Sequence, residues 1–208
     1  MPDFKFEQAA LLSGRTRIAG VDEAGRGPLS GPVVAAAVVL RPDAMTDEVW
    51  ARLDDSKRMT DKARVLLYDA IFATAEVGVG IADTDTIEAL NILGATLKAM
   101  ADAISDLNML PDHVLIDGNK MPELPCSAET IVKGDGKSLS IAAASVIAKV
   151  TRDRIMSDLN EQYPGYGWDR NAGYGTAEHL DALKRLGVTP HHRKSFAPVR
   201  NILSLEDS

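Results

Sequence analysis

Four acidic residues, Asp22, Glu23, Asp117 and Asp135, are the side chains of this sequence best placed to do chemistry. Each stands at or just past the end of a strand-like apolar run. Asp22-Glu23 closes a run that begins at Arg17, Asp117 follows HVLI (His113–Ile116), and Asp135 follows Glu129–Val132. In open α/β sheets, sites form outside strand termini where connections diverge, so neighbouring strands would bring these carboxylates together. Carboxylates without His or Cys among them make a hard oxygen site, suited to Mg2+ or Mn2+ rather than Zn2+. Four of them fit two shared ions, and ions about 4 Å apart can activate a water and stabilise the leaving oxygen of a phosphodiester. Successive side chains on a regular strand face opposite ways, so Asp22 and Glu23 reach one site only if the strand ends or bulges there. Asp117-Gly118 and Asp135-Gly136 are also ordinary turn dipeptides, and each alone reads as a turn.

Gly25-Arg26-Gly27 follows the first acidic pair. Without a Cβ, its glycines leave backbone groups open to close approach, and such a loop can grip a phosphate or a sugar hydroxyl. A contact to a 2′-hydroxyl is what separates RNA from DNA. The spacing matches neither the Walker nor the dinucleotide fingerprint. Taken without its acidic neighbours, the loop reads as a tight turn between two strands.

The elements that must position these residues are legible from periodicity. Val33–Leu40 (VVAAAVVL) is a buried central strand, and Glu76–Ala82 alternates as a strand. Asp61–Ala75 is a helix with Thr60 as N-cap, and Asp85–Leu107 is one long helix entered through Asp83, Thr84 and Asp85. Ser138–Tyr163 is the longest helical pattern, with IAAASVIAKV as a close-packing face; Pro164–Gly175 is a loop, and Thr176–Leu186 a helix closed by Gly187. Early strands joined as a meander and later ones joined through helices predict an α/β layer fold on a mixed sheet.

Composition bounds the reading. The chain has 208 residues, 45% hydrophobic and 25% charged, the profile of one globular domain. No apolar run is long enough to cross a membrane, and MPDFKFEQAALL has no signal pattern, so no membrane association and a cytoplasmic location are expected. Cys126 is alone, which excludes an internal disulfide and argues against structural zinc. The net charge of −7 argues against nucleic acid, but it is uneven: residues 133–200 hold eleven Lys/Arg and seven Asp/Glu. A basic C-terminal third on an acidic body allows a local phosphate-binding face, or is simply helix surface.

The stretch Ile18–Leu40, IAGVDEAGRGPLSGPVVAAAVVL, resembles the opening motif of ribonuclease HII. Five further stretches resemble later motifs of that family in the same order. They are LDDSK (Leu53–Lys57), LNILGATLKAM (Leu90–Met100), VLIDGNK (Val114–Lys120), KGDGKSLSIAAASVIAKVTRD within Val132–Asp153, and HRKSFAPV (His192–Val199).

The resemblance implies a ribonuclease H-like fold, a five-stranded mixed sheet flanked by helices. It implies a single domain over 1–208 in which 164–208 is a helical substrate-binding extension. It implies an endoribonuclease that cuts the RNA strand of RNA–DNA hybrids, and cuts 5′ of single ribonucleotides in duplex DNA. Asp22, Glu23, Asp117 and Asp135 would hold Mn2+ or Mg2+, Gly25, Arg26 and Gly27 would meet the ribose 2′-OH, and Tyr174 of Gly173-Tyr174-Gly175-Thr176 would pack on the next sugar. Family members often carry His-Lys before that Gly-Tyr; here Asn171-Ala172 stands there. A phosphate contact is then missing, or supplied from elsewhere, for example by Arg170. The sister family, ribonuclease HIII, usually has Lys where Arg26 stands and an extra N-terminal domain, so Arg26 and the short lead before the first strand favour type II. The ending LEDS shows no aromatic clamp-binding motif, so sliding-clamp docking by that route is not expected, and a monomer is.

Lys57, Lys133, Lys137, Lys149 and Arg152 can position phosphates or be plain surface charges. Arg193 and Ser195 can hold the DNA strand or stabilise a helix end. His179, His191 and His192 are expected to be packing or surface residues, as are Tyr163, Tyr166 and Trp168. Two other functions share these residues: a non-catalytic hybrid-binding module, and a Mg2+-dependent enzyme acting on small phosphates.

Overall fold

The computed structural model describes residues 2–44, 49, 53 and 60–206. Its five strands form one sheet in the order β3-β2-β1-β4-β5. β1 (Ile18–Ala24), β2 (Val33–Val39) and β3 (Glu76–Ala82) make an antiparallel meander, and β4 (His113–Asp117) and β5 (Ser127–Ile131) continue from β1 in parallel. β2 is buried along its length, as an unbroken apolar run in the sheet interior requires. Val33, Ala35, Ala37 and Val39 share one core with Ala95, Ala99 and Ala103 of α3 (Thr84–Ser105). Ala36 and Val38 face the other core, with Leu67 and Ile71 of α2 (Asp61–Thr74) and the alanines of α4 (Leu139–Gln162).

Side chains start the helices as the sequence suggests. Thr60 Oγ1 accepts from Ala63 N–H at 3.3 Å, Asp83 Oδ1 from Thr86 N–H at 2.8 Å, and Ser138 Oγ from Ile141 N–H at 3.2 Å. The small residues of IAAAS let α4 lie almost on the backbone of β1. A Cβ added at Gly20 would fall 2.2 Å from the Ser140 carbonyl carbon. That approach aims one face of α4, carrying Ser145, Lys149 and Arg152, toward the end of β1.

Several elements depart from expectation. α3 is not one continuous helix: Asn91 stands at φ 58°, ψ 172°, and its Oδ1 accepts from Leu93 and Gly94 N–H, restarting the helix as a cap. β4 reaches β5 through residues 118–126, in which no helix forms. α1 (Lys5–Leu12) and α7 (Ala197–Glu206) lie outside the periodic segments, and α5 (Trp168–Asn171) interrupts the expected loop 164–175. With α6 (Ala177–Leu186), α5 and α7 enclose a third core of Leu29, Met156, Tyr166, Trp168, Leu183 and Val199. The expected packing role of Tyr166 and Trp168 is what this core contains. None of the described helices is long and apolar enough to cross a membrane.

Candidate active site

β1 does not end or bulge at its acidic pair. Asp22 pairs with Ala36 and Glu23 with Ala35 in regular antiparallel register, and the strand closes at Ala24. What opens the site is the other edge: pairing with β4 stops at Val21, opposite Ile116. Asp22 is buried, and its Oδ1 accepts from Glu23 N–H at 2.7 Å while Ser145 of α4 also donates to the carboxylate. Asp117, the last residue of β4, accepts from Gly134 N–H at 2.5 Å, which ties it to the turn Gly134–Gly136 that carries Asp135.

Burial pushes the Asp22 carboxyl well above the usual range, and the charges of Glu23 and Asp117 push it further. Burial also raises Glu23, with Arg26 opposing and Asp117 adding. Glu23 Oε2 is buried and meets no hydrogen-bond donor among the described residues. Crowded, desolvated carboxylates with an unmet oxygen are a poor internal arrangement and a good fit to a divalent cation. The cage is not closed: among the described residues, no three His, Cys, Asp or Glu side chains gather around one point. Full chelation therefore requires side-chain rotation toward the ion.

Beside the carboxylates lies an open cleft of about 340 Å³, lined by Glu23, Ala24, Gly25, Arg26, Gly27, Ser145, Lys149, Arg152 and Tyr174. Gly25 sits at φ +98°, and a Cβ there would fall 2.0 Å from Arg152 Nε, so only glycine fits. Arg26 reaches back to Glu23 Oε1 at 3.2 Å. Tyr174 is half-exposed, and its ring edge passes 3.4 Å from where a Gly27 Cβ would stand.

Two buried arginines hold the loop's shape. Arg193 donates to the carbonyls of Gly25, Arg26, Pro28, Gly31 and Pro32, and Arg152 to those of Ser30, Pro32 and Ala172. They share the Pro32 carbonyl. Burial lowers Arg193 to about 9, with repulsion from Arg152 adding, and burial lowers Arg152 to about 10; both remain cations at neutral pH.

These contacts correct part of the expected substrate-binding set. Arg193 is fully buried with its donors turned to carbonyls, so it shapes the loop rather than touching substrate. Arg152 is in the same position. Ser195 is exposed, but its N–H and Oγ–H both donate to Glu88 Oε1, which fastens the C-terminal segment to α3. Lys137 and Lys133 are exposed on the segment that carries Asp135, and Lys149 lines the cleft, paired with Asp153 at 2.6 Å. Lys57 lies outside the described residues. Arg170 does not stand in for a missing basic pair as it is placed, because Asp169 and Glu178 both hold it. Asn171 turns inward, donating to the Tyr166 carbonyl at 2.8 Å and accepting from Gly173 N–H at 2.8 Å. Ser145 was not foreseen; its only signal is its place one helical turn before Lys149.

Known proteins resemble this chain in sequence and in fold. The ribonuclease HII family model matches residues 19–199. The chain is 56% identical to a ribonuclease HII of Ruegeria pomeroyi over 206 residues, 99% of this chain and 86% of that protein. It is 54% identical to one of Rhodospirillum rubrum, covering 98% and 93%. The ribonuclease H2 of Pyrococcus horikoshii OT3 superposes with a TM-score of 0.77 at 24% identity, over 93% of this chain and 100% of that one. A Bst-RNase HIII crystallised in complex with Mn2+ superposes with a TM-score of 0.69 at 21% identity, over 95% and 72%. The two structural likenesses speak to the fold, while the family match and the close relatives reach further: the chain belongs to the ribonuclease HII family and is a ribonuclease H-type endonuclease.

Proposed function

We propose that the chain hydrolyses the RNA strand of RNA–DNA hybrids and cuts on the 5′ side of single ribonucleotides embedded in duplex DNA. The products are a 3′-hydroxyl and a 5′-phosphate. One observation carries this reading: the Asp22, Glu23 and Asp117 carboxylates stand in mutual repulsion beside a backbone loop that passes under an exposed tyrosine. Asp22, Glu23, Asp117 and Asp135 hold divalent cations, Mn2+ or Mg2+. When bound as a pair, such ions supply an activated water and charge stabilisation for the leaving oxygen in a two-metal-ion hydrolysis.

The chain's own residues do the rest. Gly25, Arg26 and Gly27 present backbone groups to the ribose 2′-OH, which a side chain at Gly25 would block. Arg26 keeps the Glu23 carboxylate turned toward the cleft. Tyr174 packs on the neighbouring deoxyribose and senses the RNA–DNA junction. Lys149 faces a backbone phosphate from the cleft wall. Residues 164–208 act as the substrate-binding extension of a single domain, and the enzyme works as a cytoplasmic monomer.

The test is an end-labelled duplex with one ribonucleotide in otherwise DNA strands, incubated with Mg2+, Mn2+ or EDTA. A metal-dependent cut on the 5′ side of the ribonucleotide is expected. Cleavage of a long hybrid without that cut would remove the junction reading and leave the nuclease; cleavage of neither would refute the proposal.

A further inference from the structure

Two buried histidines outside the carboxylate cluster form a contact whose proton positions can be deduced. His179, on α6, and His192 are fully buried, and their Nε2 atoms stand 3.1 Å apart. Trp168 Nε1–H points at His179 Nε2 from 3.1 Å, and an indole N–H can only donate. His179 Nε2 is therefore bare, and the ring's proton is on Nδ1, 3.0 Å from the Tyr174 carbonyl, which can only accept. Thr189 N–H points at His192 Nδ1 from 3.0 Å, so that nitrogen is bare too, and the His192 proton is on Nε2, aimed at His179. Three groups that cannot exchange roles, an indole N–H, an amide N–H and a carbonyl, dictate one tautomer per ring. The two assignments agree at the shared contact.

The pair joins two pieces of the cleft. His179 holds the backbone of Tyr174. His192 lies on the segment that bridges Ser30, with Gly31 N–H donating to the His191 carbonyl and Arg193 N–H to the Leu29 carbonyl, just beyond the glycine-rich loop. The two imidazoles thus add a side-chain link between Tyr174 and the segment that follows the Gly25–Gly27 loop, beside the direct Leu29 N–H bond to the Gly173 carbonyl and the Arg152 bridge between Ala172 and Ser30.

We propose that His179 and His192 are specificity-positioning residues: a neutral, tautomer-locked imidazole pair that, together with the Leu29–Gly173 backbone bond, sets the position of Tyr174 relative to the Gly25–Gly27 loop, across which the RNA–DNA junction is read. This rests on the reading of Tyr174 as the junction sensor. A proton on His179 Nε2 would face two donors, and one on His192 Nδ1 would displace the Thr189 amide and leave only the Thr189 hydroxyl, 2.9 Å away, to accept it, so either disturbs the chain of bonds. Burial pushes His179 down and His192 down to about 3. Glu178, on the same helix, opposes at His179, and His179 and His191 add at His192. The packed Tyr166 and Trp168 rings carry no charge there, and Arg193 spends its donors on loop carbonyls.

Imidazole 15N NMR of the full chain with Mg2+ at about pH 5.5 tests the deduction directly. Two neutral rings are expected, one protonated at Nδ1 and one at Nε2, where an ordinary histidine near 6.5 would be mostly cationic. Cationic rings, or either opposite tautomer, would overturn the proposal. Cleavage by His192→Gln and His179→Asn, checked for folding, is the second readout. The ratio of cutting at a single ribonucleotide to cutting of a long hybrid should fall about ten-fold, as expected of small misplacements at a site. An unchanged ratio in a folded variant refutes the positioning role. Tyr174→Ala run in parallel separates the causes: if it shifts the ratio and the histidine variants do not, only the pair is refuted; if none shifts it, the junction reading falls as well.

Discussion

The carboxylates Asp22, Glu23 and Asp117 and the guanidinium groups of Arg152 and Arg193 pose the same electrostatic problem with opposite signs. In both, like charges are held close together out of water, where each repels the other and has lost its hydration. The arginines are answered from within: backbone carbonyls of the 25–32 segment and Ala172 take up their donors. The carboxylates are answered only in part: Asp22, Asp117 and Glu23 Oε1 each meet a donor, but Glu23 Oε2 finds none among the described residues and Asp22 is pushed well above its ordinary range. A saturated buried charge belongs to the fold, and an unsaturated one is waiting for something brought from outside. The contrast explains why Arg193, which the sequence leaves open between substrate and structure, is the loop's internal frame.

Substitutions can break or sharpen that contrast. Asp22→Asn carries the largest expected effect, a loss of about a thousand-fold or more in cleavage of the single-ribonucleotide duplex, consistent with removing a group that acts as a unit with its neighbours. The same variant should gain stability without metal. Because the Asp22 pKa is raised on folding, the stability of its protonated form is complete below the ordinary value of 3.8 and is lost as pH climbs toward the raised one. Asparagine has no charge to lose this way, so thermal unfolding in EDTA near neutral pH should shift up by about 2–4 °C per kcal/mol recovered. A lower midpoint would mean that the carboxylates are internally satisfied after all.

Arg193→Met tests the other side. It strands four carbonyls, since Arg152 still holds that of Pro32, and should lower the urea-derived unfolding free energy by about 3 kcal/mol or more, with cleavage falling alongside. Full stability with lost cleavage would return Arg193 to the substrate. Tyr174→Ala comes next: cutting at a single ribonucleotide should drop about ten-fold while a long hybrid loses less, the scale of a lost stacking or packing contact. Equal loss on both substrates would remove its junction role. Arg170→Ala should do least, about two-fold or less on either substrate, since an exposed arginine shared by two carboxylates is worth little. A large loss would show that substrate draws Arg170 away from Asp169 and Glu178.

Much of this was legible in the sequence because strands and acids share one signal: an apolar run that stops at a carboxylate. β2, β3, β4 and the start of α2 follow their periodicity and caps. Periodicity asks the strand to end or bulge at Asp22-Glu23; it runs one residue further, to Ala24. Its pairing with β2 stays regular through the pair, and the opening comes from the shorter partner β4, a tertiary fact with no local mark. Arg152 reads as a phosphate-positioning or surface cation and Arg193 as a DNA-strand-holding or helix-end residue, because nothing in a lone arginine says that it will be surrounded by carbonyls. His179 and His192 lie thirteen positions apart with no motif between them, and only folding brings the rings together. Lys57 and most of the LDDSK stretch lie outside the described residues.

The break at Asn91 has a mechanical meaning. The residues before it bury Ile87 in the sheet core but are also fastened to the C-terminal segment, through Thr84 Oγ1 to the Pro190 carbonyl and Glu88 to Ser195; those after it, Ala95 to Ile104, pack into the sheet core. One helix in the chain order thus carries a joint, with the C-terminal segment hydrogen-bonded to its first part. Under native hydrogen exchange, amides of 84–90 should open together with those of 189–199, and those of 95–104 only when the whole domain unfolds.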